Sequence, residues 1–543
     1  MKKNLFGVSL VALLSLYVSI FIIVSFLFLL FGISVVYSLI LSFIILVVYI
    51  LFSTFLIDFS IKLYSSKVNF DYELPDYLNS FISQICAKYN IKVPKIGIIN
   101  SKVPNSFSYG ISKNKSRLIL TSGIFDLLSE EEVIAVVAHE FGHITHYDRF
   151  FMTVVQSVPL FLYVIFSFFF LTQFDENSTA PSDISTFEVI IGSIGLLAYG
   201  LYFIVQFLIF PLSRKREYYA DNFSIEITKN PNSLASALVK IGYGLSSTNS
   251  LFDREPFYNS LISSSALCIS DVKTSRSLFV GCYGDGNIFR KSIKNIIKWE
   301  QCSIWAKKFQ RKALHPLLSK RLFCILNRCY DYNQKPYIEL NLQKDKSHIG
   351  CFLIDYFVKY LPLFTIIITL ILMLRYKTYL MFILGIGGIL TFVFSFLIFF
   401  RKYNKNFVET NILNLLGEVK VSDVNGIPCI INGEVTSRDN GGSSFCGDFI
   451  IKDDTGVILL NYKNSVKDIN ELFNIFEKEG FFGKKVKLKG WYRRNPVPYV
   501  EIFEIDASSN IKKFNSYFSS VVIRIVVFVI FVLIFIFSLC YFI

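Results

Sequence analysis

The chain has 543 residues, 53% of them hydrophobic, and carries 55 Lys and Arg against 41 Asp and Glu, a net charge of +14. That hydrophobic share excludes an ordinary water-soluble protein, and the length exceeds what one compact domain needs. In a soluble chain the positive excess would suggest nucleic acid, but here positively charged loops beside a membrane and attraction to anionic lipid account for much of it.

No charged residue lies between Lys3 and Asp58. That stretch has room for two membrane-crossing helices of about 20 residues each, with a turn near Gly32 and Ser34. It is too long for a cleaved signal peptide, and no small-residue cleavage site ends it. The next segment, 72–89, reads as an amphipathic helix. Residues 95–100 and 106–120 read as strands, the latter turning near 112–116. Ser129-Glu130-Glu131-Glu132 has the form of a capping box, so a helix starts there and carries Val133, Val136 and Val137 towards a core. Further candidate spans are 151–171, 189–212, 360–374 (extending back towards Phe352), 379–400 and 525–543. Between the last two, strands are expected at 430–436, 448–452, 457–462, 484–492 and 499–505. Asp453-Asp454-Thr455-Gly456 forms a turn there and 465–479 a helix, a pattern similar to an OB-type barrel. Ten cysteines without a CxxC pair read as reduced thiols.

Lys and Arg placement gives the orientation. Lys2 and Lys3 precede the first span, and Arg214, Lys215 and Arg216 follow the fourth. Arg401, Lys402 and Lys405 follow the sixth, whereas the loop 173–188 has four acidic residues and no Lys or Arg. The N-terminus and the large polar segments are therefore expected in the cytoplasm of a multi-pass cell-membrane protein. Arg375 and Lys377 oppose this, in a very short turn. The expected division is a transmembrane hairpin at 1–58 and a catalytic region at 59–350 with an inserted transmembrane hairpin at about 151–212. A second hairpin at 351–405, an OB-like domain at 406–512 and a final helix at 513–543 follow.

The chemistry centres on His139-Glu140-Phe141-Gly142-His143. On a helix, positions i and i+4 share a face, so both imidazoles reach one metal ion. Glu140 then lies beside that metal, placed to take a proton from zinc-bound water. Catalytic zinc keeps three protein ligands and one open position. Two candidates for the third are in view. His146 leans towards the same face but is poorly placed for the same ion. Glu217 and Asp221 lie one turn apart on a second helix, a spacing that lets Glu217 bind metal while Asp221 orients a ligand imidazole. A solvated, charged helix end is the other reading of that pair.

The residues in order resemble the membrane metallopeptidase family of the heat-shock protease HtpX and the type I CAAX prenyl endopeptidases. The resemblance is carried by Asn105-Ser106-Phe107-Ser108-Tyr109-Gly110, similar to the family's NAF/NAY strand, and by Ser122-Gly123-Ile124, Leu128-Ser129 and Glu132 leading into Ala138–His143 and Asp148. It continues through SRKREYYAD at 213–221, Asn230-Pro231 with 234–238, and His315-Pro316 with Arg321. It covers roughly residues 60–330 apart from 252–310. It implies a mainly α, zincin-type (gluzincin) domain with a small β-sheet, inside a multi-pass α-helical membrane protein. It implies one zinc ion per chain held by His139, His143 and Glu217, with Glu140 as general base. It further implies a polypeptide substrate, membrane proteins among them, laid out as a strand along the Asn105 segment, with Asn105 and His315 close to it. HExxH after the first hairpin, with one further hairpin before Glu217, is the HtpX-like order; CAAX processing is the alternative.

Two non-enzymatic readings stand beside this one. A scaffold that keeps the fold would have a vacant or blocked site. A nucleic-acid-binding module at 406–512 would use Lys485, Lys487 and Lys489 with Trp491, Arg493 and Arg494, where basic and aromatic residues alternate. A solvated face near anionic headgroups explains the same residues.

Overall fold

A computed structural model describes residues 32–64, 68–102, 104–110, 114–145, 186–247, 287–311, 313, 315–339, 348–376, 379–437, 449–461, 483–495, 497–506, 511–513, 525, 526 and 528–536, with isolated positions within 14–28 and at 162 and 166. The expectations at His146, Asp148 and 465–479, and at 151–171 apart from positions 162 and 166, lie outside the described residues. The chain divides into two compact units, Met1–Arg276 with Gln310–Glu339, and Ser277–Phe309 with Leu340–Ile543.

In the first unit the charge-free run turns at Gly32, whose φ of 66° lies in the left-handed region that glycine enters without steric cost. Helix Val36–Tyr64 follows. Val36 and Leu51 on it are 66% and 68% exposed, a surface that favours lipid over water. Helix Asp76–Tyr89 buries Leu78, Ile82, Ile85 and Cys86 and closes on Asn90 in the left-handed conformation. A three-stranded sheet comes next, β1 (Lys95–Ile99), β2 (Ser106–Tyr109) and β3 (Arg117–Thr121), in the order β1-β3-β2. β1 runs parallel to β3 and β2 antiparallel to it, with β3 central and β2 at one edge of this sheet.

The motif helix is Glu130–Thr145. The Ser129 N–H donates to Glu132 Oε2 at 2.8 Å, the glutamate arm of a capping box, and Val133, Val136 and Val137 are buried. The expected span at 189–212 is the first part of helix Thr186–Thr228, which passes Pro211 without ending and runs on through 213–221. Helix Pro231–Ser247 is pinned to the motif helix through Glu132, which also accepts from Ser236 Oγ at 2.6 Å and from Lys240 Nζ at 2.7 Å. Helix Leu318–Asn327 completes the group.

In the second unit the expected span at 360–374 is part of one helix, Ile349–Arg375, and is followed by helix Leu380–Lys402. Three helices among the described residues are long and apolar enough to cross a membrane: Val36–Ser53, Ile349–Met373 and Phe382–Lys402. Asp355, 2% exposed, accepts from Arg401 Nε at 2.7 Å and from Ser422 Oγ at 3.2 Å. Strand β4 (Val408–Glu409) leads to the sheet of β5 (Ile427–Ser437), β6 (Phe449–Asp453), β7 (Gly456–Asn461), β8 (Lys485–Arg494), β9 (Pro498–Asp506) and β10 (Ile511–Lys513). It closes on itself, β5-β6-β7-β9-β8-β5, with only β7 and β9 parallel within that ring.

Trp491, Arg493 and Arg494, counted above towards a basic and aromatic surface, are buried in this unit, which corrects that part of the nucleic-acid reading. Arg493 Nε donates to Glu501 Oε2 at 2.7 Å, Arg493 Nη2 to Lys402 O at 2.6 Å, and Trp491 Nε1 to Asn404 O at 2.6 Å. Arg494 lies 4.3 Å above the Trp299 ring, so helix Asn287–Cys302 packs with the sheet. Lys489 is paired with Glu504 at 2.6 Å. Of the basic run, Lys484, Lys485 and Lys487 are exposed.

Candidate metal centre

Two helices must approach closely to join residues 139 and 217, and the sequence permits this at Gly142. A Cβ there would lie 2.9 Å from Ala220 Cα and 3.1 Å from Phe223 Cβ, so only the missing side chain lets the motif helix cross helix Thr186–Thr228. Ser224 Oγ, donating to Ala135 O at 2.7 Å, ties the same crossing. The crossing puts Glu217 over the two histidines. His143 Nε2 is 3.5 Å from Glu217 Oε1, and His139 Nε2 is 3.7 Å from Glu217 Oε2. Ligand atoms about 2.1 Å from a tetrahedral zinc lie about 3.4 Å apart, close to both distances. One ligand atom from each of His139, His143 and Glu217 falls within 4.8 Å of the others.

The donor set fits a metal. His139 Nε2 and Glu217 Oε2 are buried and have no hydrogen-bond partner among the described residues, which costs about 1–3 kcal/mol per orphaned group unless something else satisfies it. A divalent cation would satisfy both, and two imidazoles with a carboxylate suit zinc. Burial pushes the His143 imidazole down to about 4 against the opposing pull of Glu217, so it is neutral and able to ligate at neutral pH. Burial also works against ionisation of Glu217. His315, Arg321 and His143 outweigh it and hold that carboxyl well below the ordinary glutamate range.

Asp221 Oδ1 lies 3.0 Å from His139 Nδ1. That contact is close enough to pair charge but off the line of a hydrogen bond, and it leaves Nε2 on the side of Glu217. Burial opposes the charge of Asp221 as well, but Arg321 and His139 keep its pKa below normal. Arg321 Nε and Nη2 donate to Asp221 Oδ2 and Oδ1 at 2.9 and 2.6 Å. Its Nη1 lies 3.0 Å from Glu217 Oε2, close enough to pair charge but off the line of a hydrogen bond. His315, 1% exposed, has Nδ1 3.5 Å from Glu217 Oε2. The chain leading to it is tied back by Arg214, whose Nη1 donates to Gln310 O at 2.9 Å and to Ala313 O at 2.6 Å.

Glu140 is held from the other side. Ser106 Oγ donates to its Oε1 and Ser108 Oγ to its Oε2, each at 2.8 Å. Burial raises its pKa, although His139 and the two hydroxyls pull the other way. Asn105 caps the same strand: its Oδ1 accepts from Ser106 N–H at 2.9 Å and its backbone bonds Thr121. Sequence reasoning missed the serines' contact with Glu140. Two small hydroxyl residues at i and i+2 on a strand were the available signal, since they share a face. Arg321 was legible only as part of a motif, because its partners lie 100 residues away.

Two crossing helices supply His, His and Glu, with a further Glu beside the first His, a set that could hold a metal ion. Residues 74–328 match the model of Peptidase family M48. A Protease HtpX homolog of Methanothermobacter thermautotrophicus is 38% identical over 169 residues, 31% of this chain and 60% of that protein. Protease HtpX of Legionella pneumophila (strain Philadelphia 1) is 32% identical over 167 residues, 30% of this chain and 58% of that protein. The matches thus span half to three-fifths of the curated relatives' length. S. mikatae Ste24p, a solved structure, aligns with 60% of this chain and 67% of its own at 18% identity and a TM-score of 0.30, too loose a likeness to bear on the site.

Proposed function

We propose that the protein is a zinc-dependent integral-membrane endopeptidase of the HtpX-like kind. The observation that carries this is the convergence of His139, His143 and Glu217 around orphaned acceptor atoms, with Glu140 alongside. When bound, zinc supplies Lewis acidity that lowers the pKa of a coordinated water to about 7. The chain's own residues do the rest. Glu140 takes a proton from the attacking water and returns it to the leaving amine. Asp221 and Arg321 keep His139 and Glu217 oriented. His315, beside Glu217, stands where charge develops on the peptide carbonyl, and Asn105 lies at the end of the strand along which the peptide is laid. β2 is buried, Ser108 at 9% being its most exposed residue, so entry of a peptide requires this edge to open.

The substrates of this reading are membrane or membrane-associated polypeptides, with protein quality control as the setting and the catalytic side in the cytoplasm. The position of HExxH relative to the spans favours it over CAAX processing. For the C-terminal sheet we propose an OB-like barrel, on its closed ring of five strands with a single parallel pair; the burial of Trp491, Arg493 and Arg494 speaks against nucleic acid at that face. Glu140→Gln should retain zinc and abolish cleavage of a peptide that the wild type cuts, and a variant that still cleaved would end the mechanism. Glu217→Ala should lose zinc, and an unchanged zinc content would remove Glu217 from the site.

A further inference from the structure

Ser106 and Ser108 have two properties at once. Their hydroxyls hold both oxygens of Glu140 at 2.8 Å, and with Ser106 0% and Ser108 9% exposed water does not compete for those bonds. Their backbone groups face the other way. Thr121 N–H donates to Asn105 O, which sets the alternation of the antiparallel ladder. Residues 105, 107 and 109 bond towards β3, while 106 and 108 turn their N–H and C=O to the outer edge of β2. The Ser106 N–H there is taken by Asn105 Oδ1. The Ser106 C=O and both backbone groups of Ser108 point to that edge, the groups an added peptide strand would bond.

We propose that Ser106 and Ser108 are positioning residues for Glu140, and that a peptide strand bonded to their backbone sets the carboxylate through their hydroxyls. This rests on the peptidase reading above. Each carboxylate oxygen accepts one serine bond and keeps a lone pair for the proton it must take. The pair therefore fixes the direction of the base without blocking it. An edge strand whose only strand partner is β3 has freedom that a second paired strand removes, and Glu140 inherits the gain. Peptide residues remote from the scissile bond then contribute to kcat and not only to KM, because their binding energy is used at the reacting centre.

The test uses the full chain, zinc-loaded in lipid nanodiscs, with an internally quenched tetrapeptide and an internally quenched decapeptide that share one scissile bond. The wild type should turn over the decapeptide with the higher kcat. In the Ser106→Ala/Ser108→Ala double variant, kcat on the decapeptide should fall about 10- to 100-fold with zinc content and KM little changed, and the decapeptide's advantage in kcat should disappear. Ser→Thr at each position, which keeps the hydroxyl, should recover most of it. A double variant within about twofold of wild-type kcat on both peptides overturns the proposal. So does a slower variant that keeps the decapeptide advantage, or a wild type that cuts both peptides with equal kcat. If the double variant does not fold, the two single variants are judged by the same readouts. A zinc-loaded wild type that cleaves neither peptide overturns the peptidase reading and this proposal with it.

Discussion

Each unit of the molecule buries an arginine against carboxylates, and the two clusters differ in one respect. In the second unit Arg493 and Glu501 are both fully buried, and Tyr403 Oη, donating to Glu501 Oε1 at 2.8 Å, and the Lys402 carbonyl complete the set. In the first unit Arg321 serves Asp221 and Glu217 in the same way, yet His139 Nε2 and Glu217 Oε2 remain without hydrogen bonds among the described residues. A buried polar network that is complete specifies structure; one left open at two adjacent acceptors marks a place for a ligand. The comparison can be broken by showing that both clusters respond alike to mutation, or sharpened by showing that only one responds to metal.

The largest effect is expected in the closed cluster. Arg493→Met leaves Glu501 buried without its main partner and should cost about 3–5 kcal/mol of stability, read by calorimetry or proteolysis of the full chain, while zinc affinity stays at the wild-type value. Adding Glu501→Leu should recover much of the loss. At the open cluster, Arg321→Met should weaken zinc about 10- to 100-fold in a chelator competition, with Arg321→Lys intermediate because a point charge replaces a bidentate fork. Equal zinc affinity in wild type and Arg321→Met would make the two clusters alike and remove the distinction. Gly142→Ala tests the helix crossing beneath the site. The added methyl meets Ala220 backbone, so a cost of about 1–3 kcal/mol is expected from overpacking, together with weaker zinc binding, because Glu217 rides on the displaced helix. A stability loss with zinc affinity intact would mean that the crossing does not set the ligand geometry.

What could be read from the chain and what could not follows from range. The turn at Gly32, the helix opening at Ser129 and five of the seven strands of the C-terminal sheet are written in local residue chemistry, and each is found within a few residues of its expected position. The histidine pair is legible because one helical turn places it, whereas the spacing of Glu217 and Asp221 left two readings open and the family resemblance chose between them. The serines on Glu140 are 34 and 32 residues away from it, and Arg321 is 100 from Asp221. Such pairs leave no periodic trace, since the intervening chain can fold in many ways before they meet. Helix Asn287–Cys302 is the same case. Its segment lies outside the family resemblance, and Trp299 finds its partners at Val421 and Arg494, more than a hundred residues downstream.

Glu132 offers the smallest of these effects, in the frame around the site instead of the site itself. One carboxylate caps the motif helix through Ser129 N–H and holds helix Pro231–Ser247 through Ser236 and Lys240. Burial raises its pKa, but those hydrogen bonds and the Lys240 charge outweigh it and bring it below the ordinary glutamate value of 4.5. The unfolded chain therefore binds this proton at a higher pH than the folded one. The stabilisation is fully present above pH 4.5 and is lost as pH falls through the lower folded value. Glu132→Gln keeps an acceptor for the cap but loses the charge, and Lys240, 42% exposed in its side chain, turns to water. A cost of about 1 kcal/mol is expected at neutral pH. On acidification below pH 4.5 the wild type should lose stability more steeply than the variant, so that the two melting curves converge. Parallel curves down to pH 3 would mean that the Glu132 carboxyl titrates alike in the folded and unfolded chain, so that its charge adds nothing to the joint between the two helices.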